Sequence, residues 1–143
     1  MKHDDSIYPV ELQLRIDWSE MDLFGHVNNV MFFKYIQASR VHYWETIRMT
    51  EYFTAQGIGP ILASTQCHFR KPLFYPGMVT IKASVIFIKN SSFGIAHRLL
   101  NDQQELVAEA EDVIVTYDFN KQEKVPFPDD MRAVVAALEQ RTF

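Results

Sequence analysis

Over residues 10–18 the apolar side chains Val10, Leu12, Leu14, Ile16 and Trp18 alternate with Glu11, Gln13, Arg15 and Asp17. An extended chain points successive side chains to opposite faces, so this alternation predicts a strand with one face buried. Past a loop over 19–27 the period changes. Between residues 29 and 48, Phe32, Ile36, Tyr43 and Ile47 recur at offsets of 4, 7 and 4, with Phe33 and Trp44 flanking them, while Lys34, Gln37, Glu45 and Arg48 take the other side. That spacing predicts a long amphipathic helix. Gly57, Gly59 and Pro60 mark residues 51–60 as a loop with room for a turn of helix. Strand signals follow closely: residues 62–69, then Val79, Ile81, Ala83, Val85 and Phe87, then Phe93, Ile95, His97 and Leu99, then residues 107–117. Pro72, Tyr75-Pro76-Gly77, Asn90-Ser91-Ser92 and Asn101-Asp102 supply the turns between them. After Pro128, residues 129–140 carry Met131, Val134, Val135 and Leu138 on one side, which predicts a C-terminal helix.

Connections this short favour antiparallel neighbours, because a parallel crossover needs about a dozen residues. The expected chain is therefore α+β, with a five-stranded antiparallel sheet, one long helix and a short C-terminal helix. Helix and sheet must bury their apolar sides against each other, and a curved sheet wrapped round the helix does so. No internal repeat or linker composition divides the chain, so residues 1–143 read as one domain.

Charge narrows the partners. A formal net charge of -4 with no dense Lys/Arg run excludes nucleic acid and anionic membrane surfaces as expected partners. No apolar run reaches the roughly 20 residues of a spanning helix. The polar, acidic start Met1-Lys2-His3-Asp4-Asp5 does not resemble a signal or transit peptide, so a cytoplasmic location is expected. Cys67 is the single cysteine; it makes no internal disulfide and reads as a small buried strand residue. His3, His26, His42, His68 and His97 show no local zinc spacing, and neither metal nor cofactor is expected. Eleven Phe point to a large core or an apolar pocket.

The chemistry concentrates at the junction of first strand and long helix, Asp17-Trp-Ser-Glu-Met-Asp-Leu-Phe-Gly-His-Val-Asn-Asn-Val30. Asp22 is a carboxylate in a loop, Gly25 permits a tight turn, and the first N–H groups of the following helix, near Asn28 and Asn29, have no partners inside the helix. A loop carboxylate of this kind can serve as nucleophile or base, and free helix-start amides can hold an oxygen that becomes negative.

The segment Asp22-x-x-Gly25-His26-Val27-Asn28-Asn29, ahead of an aromatic-rich helix, resembles the 4-hydroxybenzoyl-CoA thioesterase and acyl-ACP thioesterase groups of the hotdog superfamily. The match continues through residues 35–40, Phe69-Arg70-Lys71-Pro72-Leu73 before Gly77, and Ser91-Ser92-Phe93. The resemblance implies the hotdog fold and assigns the carboxylate role to Asp22, the carbonyl-holding amide to Asn29 and a neighbouring role to His26. It extends substrate contact to Gly25, Val27, Asn28, Phe33, Ser91 and Ser92. Arg70, Lys71, Lys89 and Arg98 are the cations available for CoA phosphates, with Lys89 best placed. Phe24, Met31, Phe32 and Phe33 suggest an apolar chamber.

Each residue also has a structural reading. Asp22 caps a turn, Asn28 or Asn29 caps the helix, and His26 steadies the loop or else positions substrate or water. Glu20 either repels Asp22 or faces water, and the solvated reading is adopted. The expected activity is hydrolysis of an acyl-CoA, or less readily an acyl-ACP, in a homodimer or a homotetramer built from dimers. The alternatives are a hydratase or dehydratase of 3-hydroxyacyl thioesters and a non-catalytic acyl-CoA-binding module. The first is weakened because residues 30–40 carry no acid on the helix. The second has no need of Asp22.

Overall fold

The computed structural model describes residues 7–143, so the polar start Met1-Lys2-His3-Asp4-Asp5 lies outside the described residues. Strand β1 (Val10–Arg15) keeps the expected alternation, with Val10, Leu12 and Leu14 facing inward. It ends at Arg15 instead of Trp18 because Asp17 and Glu20 cap each other across a 3-10 turn, Trp18–Glu20. Trp18 is thereby turned outward, 73% exposed.

Helix α1 (Asn29–Thr46) begins where Asn28 caps it, the Asn28 side-chain oxygen accepting the Val30 N–H at 3.0 Å. It buries Phe32, Tyr35, Ile36, Ser39, Arg40 and Tyr43, whereas Phe33 stays partly exposed. The helix ends before the expected Arg48, whose left-handed backbone, φ 58, turns the chain into α2 (Met49–Gln56). An eight-residue helix stands where a loop with room for one helical turn was expected, because Met49 and Phe53 find the core and packing sustains helices too short to stand alone. Gly57, φ 71, closes it, and β2 (Ile58–Phe69) starts at once, ahead of the expected Leu62.

Strands β3 (Met78–Ile88), β4 (Ser92–Leu100) and β5 (Leu106–Asp118) fall where the alternation placed them. The two-residue β6 (Glu123–Lys124) is an unexpected addition paired to β5. Helix α3 (Asp129–Glu139) packs through Met131 and Val135; Val134, expected inside, is 43% exposed. The antiparallel sheet runs β1-β3-β4-β5-β2 and curls around α1, the expected hotdog architecture with a small sixth strand. Among the described residues no helix is long and apolar enough to cross a membrane.

The core has two apolar clusters. Phe32, Tyr35 and Ile36 of α1 meet Val79, Ile81 and Leu99, and further along the helix Tyr43 and Ile47 meet Val85, Ile95 and Ile114. Between them lies a buried polar chain. Ser39 Oγ is 2.9 Å from His97 Nδ1, and His97 Nε2 is 2.7 Å from Asp112 Oδ2, which also accepts from Arg40 Nη1 at 2.8 Å. Burial would raise the Asp112 carboxyl, but hydrogen bonds from His97, Arg40 and Thr65 outweigh it and hold the group below the ordinary range. Ion pairing of this kind fixes the helix against the sheet, because leaving either partner alone in the core is costly.

Candidate active site

The segment between β1 and α1 is held at its stems. Ile16 N–H donates to Gly77 O and Val27 N–H to Leu73 O, both at 2.9 Å, and Asn28 N–H donates to Glu20 O at 2.9 Å. Its tip is free, with Leu23 100% and Phe24 83% exposed. Behind the tip, Asp22 Oδ1 accepts the Phe24 N–H at 2.8 Å and the His26 N–H at 3.2 Å. Gly25 completes this turn at φ 81, a conformation that L side chains rarely adopt. Asp22 is thus a turn residue through Oδ1, as its structural reading required. Its Oδ2 takes no hydrogen bond from a described residue.

Asp22, His26, Val27 and Asn29 line an open cleft of about 370 Å³ together with Phe32, Phe69, Arg70, Lys71 and Pro72. Asn28 is the cap, with its backbone oxygen taking the Met31 N–H at 2.8 Å. The Asn29 N–H is left without an acceptor among the described residues, at the positive end of the α1 dipole. Carboxylate, unpartnered amide and imidazole therefore share one cleft, a set that suits acyl transfer to water. The His26 ring meets Phe74 edge-on, centroids 5.2 Å apart. Arg70 pairs with Glu109 at 3.1 Å and Lys71 with Glu105, and all four side chains are solvent-accessible. Such exposed pairs are weak, so both cations are available to an incoming phosphate.

Other expected site residues lie elsewhere. Lys89, Ser91 and Ser92 form the turn beyond Ile88, whereas the Asp22 loop follows Arg15, which pairs with Met78 at the other end of β3. Strand length alone keeps them out of this cleft within one chain. Phe33 leans on Phe69 at 6.5 Å and does not line the cleft, and Phe24 projects from the tip. Met31 packs against the core, and Arg98 is held by Glu109 at 3.2 Å. Cys67 is half-buried, its thiol pushed up to about 11 by burial.

Glu20 requires a correction, since it does not face water: it is 4% exposed. Its Oε1 accepts the Asp17 N–H and the Tyr35 hydroxyl, and its Oε2 accepts Lys34 Nζ, each at 2.8 Å. Burial pushes the Glu20 carboxyl up, but the Lys34, Asp17 and Tyr35 donors outweigh this and hold it below the ordinary carboxylate range. Burial raises the Tyr35 hydroxyl, and its hydrogen bond to Glu20 raises it further. The Asp17-x-x-Glu20 spacing is the local signal that could have found this cap. Phe69 and Pro72 are cleft residues that sequence reasoning did not single out as contacts; the aromatic beside two cations was the available clue.

Comparison with known proteins bears on the family and the fold. Residues 16–135 match the family described as the thioesterase-like superfamily. The chain is 21% identical over 125 residues to the long-chain acyl-CoA thioesterase FadM of Escherichia coli (strain K12), covering 86% of this chain and 94% of that one. It superposes on a Thermus thermophilus thioesterase complexed with coenzyme A and Zn with a TM-score of 0.83 at 22% identity, over 95% of this chain and 98% of that one. The PA2801 protein of Pseudomonas aeruginosa gives a TM-score of 0.79 at 26% identity, over 88% and 97% of the two chains.

Proposed function

The chain belongs to the thioesterase-like superfamily and is a thioester hydrolase, and from that premise we propose that it cleaves an acyl-CoA, or less readily an acyl-ACP, to the free acid and the thiol carrier. One observation carries the reading: the Asp22 carboxylate and the acceptor-free Asn29 N–H line the same cleft. A carbonyl oxygen accepting from the Asn29 N–H places its developing charge at the positive end of α1. Asp22 Oδ2 then either attacks the carbonyl carbon, expelling the CoA thiolate and leaving an anhydride that water opens, or takes a proton from a water that attacks directly. In both routes the C–S bond breaks and the thiolate leaves with its electron pair and is protonated; the oxygen of water ends in the acid when water attacks the acyl carbon, and on Asp22 when it opens the anhydride from the Asp22 side. His26 positions substrate or water. Val27, Phe32 and Phe69 offer apolar walls to the acyl group, and Arg70 and Lys71 meet the CoA phosphates.

The working form of this cytoplasmic enzyme is a homodimer, alone or doubled into a tetramer, joined through β2. Support comes from the edge itself, a twelve-residue strand with residues 61–66 exposed and, among the described residues, no neighbour on one side. Solitary proteins protect such edges, and two-fold pairing removes one. Antiparallel pairing of β2 with its copy turns the partner's far sheet end, with the partner's Lys89, Ser91 and Ser92, toward the end that carries Asp22. Incubation of the purified protein with aliphatic and aromatic acyl-CoAs and acyl-ACPs, read with a thiol reagent, should release free thiol. Hydration or dehydration without thiol release, or binding without turnover, would overturn the reading.

A further inference from the structure

Resting on that reading, we propose that Glu20 is a positioning residue for the reaction: its buried carboxylate clamps the loop to α1 and so sets Asp22 and the Asn29 amide at their working separation. Ile16 N–H on Gly77 O and Val27 N–H on Leu73 O tie the loop's stems to the turn before β3, but neither ties the loop to α1. Its tip makes no packing of its own, with Leu23 and Phe24 in solvent, and the Asp22 turn is an internal bond set that fixes shape without fixing place. Glu20 supplies place from two directions. Its backbone oxygen holds the Asn28 N–H, which joins the strand-side stem to the helix cap. Its side chain reaches Tyr35 and Lys34, about one and a half helical turns beyond the amide that is to polarise the carbonyl, while also holding Asp17 at the head of the loop.

The donors around it fit a carboxylate and nothing else. Asp17 N–H, Tyr35 OH and Lys34 Nζ all donate to the two oxygens. Tyr35 is 1% exposed, so its hydroxyl has no solvent to replace Glu20. A Gln at this position keeps one acceptor oxygen and turns an NH₂ toward Lys34, a donor against a cation. Glu20→Gln therefore frees Lys34 while Asp17 and Tyr35 stay bonded, Tyr35→Phe removes the buried donor alone, and Glu20→Ala removes all three contacts. Because reaction geometry is steep, with about a hundredfold lost for roughly 1 Å of misplacement, the clamp should act on turnover more than on binding.

The test measures kcat and KM for acyl-CoA with wild type, Glu20→Gln, Tyr35→Phe and Glu20→Ala, each at a temperature where circular dichroism shows it folded, alongside amide hydrogen exchange of residues 20–31. The expected series is a graded fall in kcat, a few-fold for Glu20→Gln and Tyr35→Phe and tenfold to a hundredfold for Glu20→Ala, with KM within about threefold. Exchange should quicken at Asn28 and its neighbours while β3 and β4 stay protected. Folded Glu20→Gln and Tyr35→Phe proteins with wild-type kcat, or a rise in KM at constant kcat, would overturn the proposal. If wild type cleaves no acyl thioester, it is the functional reading that fails; the clamp is then decided by exchange alone, and unchanged protection of residues 20–31 in Glu20→Gln and Tyr35→Phe refutes it.

Discussion

Replacing Asp22 by Asn removes a charge and almost no shape, and the loop geometry separates the two consequences. The Asn side-chain oxygen can accept the same Phe24 and His26 N–H groups that Asp22 Oδ1 accepts at 2.8 and 3.2 Å, so the turn survives. What is lost is the charge of a carboxylate that lines the cleft, and with it the proposed nucleophile or base. A positioned acid–base group contributes at least about a hundredfold, which is roughly 2.7 kcal/mol of barrier. KM should change little, because no contact to the CoA phosphates is touched. Asp22→Ala makes the contrast, since it also strips both N–H groups of their acceptor. These are solvent-accessible bonds worth about 1 kcal/mol in all, so Asp22→Ala should melt a few degrees below Asp22→Asn at similar residual activity. Steady-state CoA release with thermal melts of the three proteins decides the matter. A folded Asp22→Asn protein that keeps most of the wild-type rate would refute the mechanism and leave Asp22 as a turn residue only.

His26→Ala grades the second cleft side chain in the same assay: a few-fold loss marks positioning, and a loss matching Asp22→Asn makes it a catalytic partner. Arg40→Met takes the guanidinium from a buried carboxylate that keeps only His97 and Thr65 as donors, and should cost about 3 kcal/mol at pH 7 by denaturant unfolding. Because the folded pKa of Asp112 lies below its ordinary value of 3.8, the stability it contributes is present above that pH and lost as pH falls through the depressed value. The gap between wild type and Arg40→Met should therefore narrow below about pH 4, and a gap of constant size down to pH 2 contradicts the pairing. Sedimentation at micromolar concentration should show a dimer or tetramer of the 16.7 kDa chain, and a monomer alone rules out the β2 interface.

Local periodicity was enough for much of this protein. The period-two runs in β1, β3, β4 and β5 and the cap at Asn28 depend on neighbours a few residues apart, and so does the turn formed by Asp22 and Gly25. These are short-range interactions, legible wherever the residues are adjacent in the chain. Tertiary structure decided what depends on distant partners. Met49 and Phe53 form a helix because a core is there to receive them, and Glu20 is buried because Tyr35 and Lys34 arrive from α1. Ser39, Arg40, His97 and Asp112 come from a helix and two strands, and no spacing in the sequence announces their chain of contacts. Lys89, Ser91 and Ser92 show the opposite case, residues grouped with the site by resemblance that the length of the strands sets apart within one chain. A buried polar group needs its partner more than its position in the sequence, because desolvation without a hydrogen bond costs more than any local preference supplies.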